Sequence, residues 1–96
     1  MKELPRLSGK ERLILEMLCD RSEMYGLEMV KASRGKLKRG TVYVTLNRME
    51  EKGFVTSNAV EDSQGPVKRA YRVTGHGARV LSAWQAASSV FAGASI

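Results

Sequence analysis

Two clusters of basic side chains are the part of this sequence whose residue types and spacing favour a chemical role. Residues 31–40 contain five basic and no acidic side chains, and residues 66–79 contain four basic and no acidic ones. Lysine and arginine bind phosphate oxygens through charge-assisted hydrogen bonds, so such clusters favour a polyanionic partner. A single surface lysine is usually only solvated. Two clusters that the fold brings to one side predict contact with DNA.

The groups that an enzyme would use are scarce in this chain. One cysteine, Cys19, and one histidine, His76, leave no set for an internal disulfide, a zinc site or a catalytic triad. An enzyme that acts on nucleic acid would need paired carboxylates or a metal cluster. The side chains of the adjacent acids Glu50–Glu51 and Glu61–Asp62 diverge, so they do not form such a pair. We therefore predict that the chain is not an enzyme and takes no metal or cofactor. Cys19 is predicted to be a small core residue, and His76 a surface or capping residue.

The chain has the size and composition of one small domain. It has 96 residues, 43% of them apolar, and a net charge of +6. A domain of this size has a limited core, so self-association is expected. No run approaches the roughly 18 apolar residues of a membrane-spanning helix. Residues 1–6 lack the apolar segment of a secretory signal. We predict no membrane partner.

The apolar spacing predicts four helices, at about 8–20, 25–33, 40 or 41 to 52, and 76–91. Ser8 and Glu11 have the S-x-x-E spacing of a capping box, which would begin the first helix. In the second helix, Leu27 and Val30, with Met29 beside them, are predicted to face the core.

The third helix combines one apolar stripe with an accessible face. Val42, Leu46 and Met49 recur at i, i+4 and i+7 and are predicted to be buried. Gly53 follows the helix where a left-handed C-cap residue is needed. The other side chains of the first two turns are therefore available to a partner.

A β-hairpin is predicted after the third helix. Strands at 54–60 and 67–73 flank a polar turn cluster at 61–66 that contains glycine and proline. The second strand alternates, and Tyr71 is predicted to lie on its buried face. Thr74 is a candidate N-cap for the last helix.

The order helix, helix, helix, hairpin, helix is typical of a winged helix-turn-helix, a mostly α fold with a small β-hairpin as its wing. In this fold the third helix enters the major groove, and the wing reaches the flanking backbone or the minor groove. We predict that residues 1–74 form a winged helix-turn-helix DNA-binding domain. Residues 75–96 would form a C-terminal dimerisation helix packed on the same domain.

The candidate DNA contacts belong to the two basic clusters and to the accessible face of the third helix. The basic residues are predicted to contact phosphates or to act from the wing, and the first two turns of the third helix are predicted to contact DNA bases and backbone. The full set of predicted DNA contacts is Lys36, Lys38, Arg39, Thr41, Tyr43, Val44, Asn47, Arg48, Lys68 and Arg69. Asparagine and arginine are side chains that read base edges.

The last helix has a seam of apolar residues on a stretch without charge. Residues 80–96 contain no charged side chain. The predicted dimer contacts on this seam are Val80, Leu81, Trp84, Ala87 and Phe91. An uncharged helix that carries large aromatic residues needs an apolar partner surface. Trp84 is interpreted as an interface anchor, and it could also stack on a planar ligand.

The segment Gly40-Thr41-Val42-Tyr43-Val44-Thr45-Leu46-Asn47-Arg48-Met49-Glu50-Glu51-Lys52-Gly53-Phe54-Val55 resembles the G-T-[LIV]-Y-x-x-L-x-R-[LM]-E-x-x-G-[LF]-[IV] motif of the PadR-like transcriptional regulators. Met24-Tyr25-Gly26-Leu27-Glu28-Met29 resembles the family's H-G-Y-E-[LI] segment, with glycine and tyrosine in swapped order. Lys68 to Thr74, with Gly77, resembles its wing. The resemblance covers about residues 8–81, and it departs at Val44, where the family often has proline, and at Gly75, where it often has an acidic residue.

This resemblance implies a homodimeric, ligand-responsive repressor in the bacterial cytoplasm. It would bind double-stranded DNA at an inverted-repeat operator, dimerise through the C-terminal helix and respond to a small aromatic effector. The resemblance also implies that Tyr43 touches the DNA backbone. One alternative is a winged-helix module that binds protein and has no affinity for DNA. An RNA-binding surface would favour exposed aromatic residues on the sheet, where the hairpin offers only Tyr71.

Overall fold

The computed structural model describes residues 6–60, 65 and 68–94, with side chains described as far as residue 87. Within these residues the elements are, in order, α1 (Gly9–Arg21), β1 (Glu23–Tyr25), α2 (Gly26–Ala32), α3 (Arg39–Glu51), β2 (Val55–Val60), β3 (Lys68–Val73) and α4 (Gly75–Ala94). The strands form an antiparallel sheet in the order β1-β3-β2. The mostly helical winged helix-turn-helix fold is confirmed.

The start of α1 is fixed by the predicted capping box. The Ser8 backbone N–H donates to the Glu11 carboxylate at 2.9 Å, and the Glu11 N–H donates to the Ser8 hydroxyl at 3.2 Å. The other oxygen of Glu11 accepts from Lys52 Nζ at 2.8 Å, and the glutamate side chain is only 8% exposed. Burial raises the pKa of Glu11, but the hydrogen bonds from Lys52 and Ser8 outweigh it and hold the pKa below its ordinary value of 4.5. This carboxylate therefore ties the start of α1 to the end of α3.

Replacing Glu11 with glutamine should lower the free energy of unfolding at neutral pH by about 1–2 kcal/mol, because a neutral amide replaces the buried carboxylate that pairs with the Lys52 ammonium. The pKa of Glu11 is lower in the folded chain than in the unfolded one. Its contribution is therefore present above pH 4.5 and is lost as the pH falls through the folded pKa. Urea unfolding at several pH values should show wild type and variant converging in acid. A difference that does not change with pH would contradict this role.

The hydrophobic core lies where α1, α3 and α4 meet the sheet. Its fully buried side chains include the predicted stripe of α3 together with residues from α1, α2 and the strands; they are Ile14, Leu15, Leu18, Met24, Met29, Leu37, Val42, Leu46, Met49, Phe54, Val55 and Tyr71. Close packing of these groups against each other holds α3 with one face buried and the other free.

The turn between α2 and α3 is built around one buried serine. The Ser33 hydroxyl donates to the Val30 carbonyl at 2.8 Å and accepts from the Leu37 N–H at 2.9 Å. Leu37 is 2% exposed and anchors the turn in the core. Arg34 and Gly35 have positive φ angles of 53° and 90°, and they reverse the chain between the helices. The basic side chains of this turn consequently point to solvent.

The start of α4 docks on the chain just after α3. Gly53 has the predicted left-handed conformation, with φ at 79°. The Thr74 hydroxyl accepts from the Gly77 N–H at 3.0 Å, which confirms Thr74 as the helix cap, and it also contacts the Gly53 and Phe54 carbonyls. Gly77 is buried against Phe54, where a side chain has no room. This docking fixes α4 on the domain.

Two sequence predictions about local structure are wrong, and one strand is missing from the prediction. Strand β1 was not predicted, and it extends the hairpin to three strands. Cys19 is exposed rather than buried, because it follows Leu18 by one residue and a helix turns by about 100° per residue. Leu27 is 39% exposed, and Met29 takes the core position on α2. The predicted turn at 61–66 lies outside the described residues, except for Gly65.

Among the helices of the described residues, none combines the length and the apolar composition that a membrane crossing requires.

Candidate nucleic-acid interface

The exposed face of α3 carries the residues predicted to read bases. Thr41, Tyr43, Val44 and Asn47 are exposed, with Tyr43 at 43% and Val44 at 51%. Residues three and four apart lie on one side of a helix. Val44 and Asn47 therefore occupy the middle of the outward face, opposite the buried stripe.

One flank of this face opens into a cleft between α2, α3 and the wing. The cleft has a volume of about 540 Å³ and is lined by Tyr25, Leu27, Glu28, Lys31, Tyr43, Lys68 and Arg69. We call it the wing cleft. Two predicted contacts from the wing, Lys68 and Arg69, thus share one surface with the predicted contact Tyr43 from α3. The Lys68 ammonium lies 5.6 Å from the centre of the Tyr25 ring. Three cations on apolar and aromatic walls suit an anion that carries an apolar body.

The wing is joined to α3 by polar contacts beneath the cleft. The Ser57 hydroxyl of β2 donates to the Glu50 carboxylate of α3 at 2.8 Å. The Arg69 guanidinium of β3 donates to the same hydroxyl at 3.2 Å. Tyr71 is buried as predicted, and burial, reinforced by Glu50, raises the pKa of its phenol above the ordinary value of 10.0. These contacts hold the wing at a fixed distance from α3.

The other flank of α3 faces the start of α1. A groove of about 350 Å³ runs there, lined by Ser8, Lys10, Glu11, Thr41, Val44, Thr45, Arg48 and Lys52. Arg48 therefore lies across α3 from the wing cleft. Lys36 lines a further groove together with Lys10 and belongs to this side as well. The predicted contacts consequently form two basic flanks with α3 between them.

All ten predicted DNA contacts are exposed on the chain, including Lys38 and Arg39 at the start of α3. Two lysines of the same surface were not among them. Lys31 lines the wing cleft, and it could have been predicted as a contact because it belongs to the basic cluster at 31–40. Lys10 lines the same groove as Thr41 and Arg48, and no local sequence feature indicates that shared location. His76 is exposed, as predicted, with its ring centre 5.4 Å from that of Phe54.

The predicted dimer seam of α4 divides into two parts. Val80 and Leu81 are 5% and 3% exposed and pack inside the chain's own core, so they hold α4 on the domain and offer little surface to a second chain. Trp84 and Ala87 are half-buried, and Trp84 packs at the edge of the same core. The side chain of Phe91 lies outside the described residues.

The model of the transcriptional regulator PadR-like family matches residues 14–83, which span α1 to the middle of α4. The chain belongs to the PadR-like family. PadR-like proteins are transcriptional regulators, and this confirms the prediction that the chain is not an enzyme. No curated sequence matches the chain significantly.

Solved structures of PadR-like proteins resemble this one over most of its length. A PadR family regulator from Clostridium difficile is 27% identical, with a TM-score of 0.78 over 91% of this chain and 94% of that one. One from Eggerthella lenta is 29% identical, with a TM-score of 0.74 over 86% and 74%. Bacillus subtilis PadR in complex with operator DNA is 21% identical, with a TM-score of 0.71 over 77% and 44%. The last likeness concerns the fold alone.

Proposed function

We propose that this PadR-like protein is a homodimeric, sequence-specific DNA-binding repressor of the cytoplasm. The observation that carries the proposal is the exposed first half of α3 between two basic flanks, the wing cleft on one side and the groove beside Lys10 on the other. Basic side chains on both sides of a helix suit the two phosphate strands that border a major groove. The Bacillus subtilis PadR structure, which contains operator DNA, supports this use of the fold.

The charges of α3 favour entry by its first half. The first turn carries no acidic residue, whereas Glu50 and Glu51 stand at the end of the helix. Phosphates are repelled at that end and attracted at the other. In this orientation Asn47 can pair with adenine and Val44 can meet a thymine methyl, while Thr41 and Tyr43 can donate to phosphates.

Asn47→Ala should weaken binding to the cognate operator by about 1–3 kcal/mol and leave binding to scrambled duplex nearly unchanged, because only the cognate site loses a base contact. The matched variant is Tyr43→Phe, which lacks the hydroxyl that donates to a phosphate. It should weaken binding to the operator and to the scrambled duplex equally. Fluorescence anisotropy at one salt concentration measures each affinity. The labelled duplex should come from the region upstream of the protein's own gene, searched for an inverted repeat.

An equal loss on both duplexes for Asn47→Ala would assign this residue to phosphate contact rather than base reading. An affinity of the wild-type protein that does not depend on salt would favour the alternative function, a winged-helix module that binds protein. DNA-binding affinity depends on salt because phosphate contacts release counterions.

The proposed dimer joins two copies through residues 75–96, while residues 1–74 of each copy bind one half-site. Trp84 and Ala87, half-buried on α4, support this arrangement, since aromatic residues are frequent in the centre of interfaces. Two copies related by a two-fold axis require an inverted repeat, with half-sites a whole number of helical turns apart. We also propose that a small aromatic effector stacks on Trp84 and alters that geometry.

Trp84→Glu should convert the dimer into a monomer, because a carboxylate buried without a partner costs several kcal/mol. Light scattering of the wild type and of the variant measures the mass of each in solution directly. Circular dichroism provides the control, since the variant must keep its helical content for the result to concern the interface. A folded variant with the mass of the wild-type dimer would place the interface elsewhere.

A further inference from the structure

The first residue of α2 lies directly against the side chain of Tyr43 on α3. A Cβ atom built on Gly26 would lie 2.7 Å from Cε1, 2.9 Å from Cζ and 3.0 Å from the hydroxyl oxygen of Tyr43. Van der Waals contact between such atoms needs about 3.5 Å or more. The edge of the ring, with its hydroxyl group, therefore occupies the space that any side chain at position 26 would need.

The backbone at Gly26 is held in place from both sides. The Tyr25 N–H donates to the Glu28 carboxylate at 2.8 Å, which fixes the first turn of α2. Tyr25 also pairs with Ala70 of the wing strand. Gly26 itself is buried, whereas Tyr43 keeps 43% of its surface exposed toward the wing cleft. A fixed backbone thus supports one edge of a ring whose remaining surface faces outward.

We propose that Gly26 is a positioning residue for DNA binding, because its missing side chain leaves the space that the edge and hydroxyl of the Tyr43 ring occupy. Tyr43 is thereby held at the wing cleft, which Lys31 and the wing cations also line. This inference rests on the proposed function. Gly26 makes no contact with DNA itself. It acts through Tyr43, which it holds in the orientation for donation to a phosphate before DNA arrives.

Alanine at position 26 is compatible with the helix, since α2 begins there and alanine is a strong helix former. The atoms that its methyl group would meet belong to the outer end of the Tyr43 ring, which can rotate away. The expected result of Gly26→Ala is therefore a folded domain with a displaced Tyr43.

A double-mutant cycle on DNA affinity tests the inference. Gly26→Ala should weaken operator binding about a hundredfold, because loss of one hydrogen bond to a charged group costs at least about tenfold and the dimer loses one in each protomer. In a Tyr43→Ala background, the same change should alter affinity by less than about twofold, because the methyl group then has room. Gly75→Ala is the matched control, since its Cβ would meet only the end of the Arg79 side chain and the residue lines neither groove beside α3. It should leave affinity unchanged.

If Gly26→Ala lowers DNA affinity equally in both backgrounds, or in neither, the inference is overturned. The proposed function still holds in that case, provided that the wild-type protein binds the operator. A wild-type protein that binds neither operator nor scrambled duplex would overturn both. Should Gly26→Ala unfold, adding Tyr43→Ala must restore the fold, which circular dichroism measures. A double variant that stays unfolded would show that the methyl group clashes with the backbone rather than with Tyr43, and would overturn the inference.

Discussion

Gly77→Ala is expected to lower the free energy of unfolding by about 3 kcal/mol or more, a large part of the stability of a small domain. A Cβ at this position would meet the carbonyl group of Phe54, which belongs to the backbone and cannot rotate away. Relief of the clash requires α4 to lift from the domain. That movement also disrupts the hydrogen bonds that Thr74 donates to the Gly53 and Phe54 carbonyls.

Urea unfolding followed by circular dichroism measures this loss. Gly75→Ala is the matched control in the same turn of α4, because its Cβ would approach only the end of the Arg79 side chain, at 3.3 Å. The control should be as stable as the wild type or slightly more stable, since alanine favours helices. Equal stability of the two variants would mean that α4 can move away from Phe54 at no cost.

The double variant Lys68→Ala, Arg69→Ala should reduce operator affinity about a thousandfold near 0.1 M salt. Each protomer would lose two phosphate contacts, so a dimer loses four, and each contributes about −0.9 to the slope of log affinity against log salt. We expect a wild-type slope of about −5 to −7, and a variant slope smaller in magnitude by about 3 to 4. Anisotropy titrations at several salt concentrations give both slopes.

A control of equal charge separates local contact from total charge. Arg72→Ala, Arg79→Ala removes the same two positive charges, but Arg72 is paired with Glu23 at 3.0 Å and neither residue lines the wing cleft. This control should keep most of the wild-type slope. The same loss in both double variants would mean that the wing attracts DNA only through net charge.

The fold was predictable from the sequence wherever its cause is local. The capping box of Ser8 and Glu11, the stripe of α3 and the C-cap at Gly53 each depend on residues within a few positions of one another, and all are present. Strand β1 was not predictable in this way. It has three residues, too few for an alternating pattern, and it forms only because β3 pairs with it from some 49 positions further along the chain.

The candidate site was predictable in composition but not in arrangement. The two basic clusters and the exposed face of α3 follow from charge counts and helical periodicity. The proximity of Lys10 to Arg48 depends on how α1 crosses α3, and the place of Leu27 depends on which side of α2 meets the sheet. Such crossing geometry comes from packing of the whole core, which a local pattern does not contain.

The pairing of β1 with β3 has a consequence for how a protomer adapts to its partner. Strand β1, which connects α1 to α2, pairs with the wing strand β3 from Glu23↔Arg72 to Tyr25↔Ala70. The hydrogen bonds of Ser57 and Arg69 in turn join the wing to α3. In the part of the chain that the structure describes, these contacts join the recognition surface into one body. Such a body loses little conformational entropy when it docks. In the proposed dimer, a mismatch between the spacing of the two half-sites and that of the two protomers would therefore be accommodated by bending of the duplex or by movement at the junction between protomers.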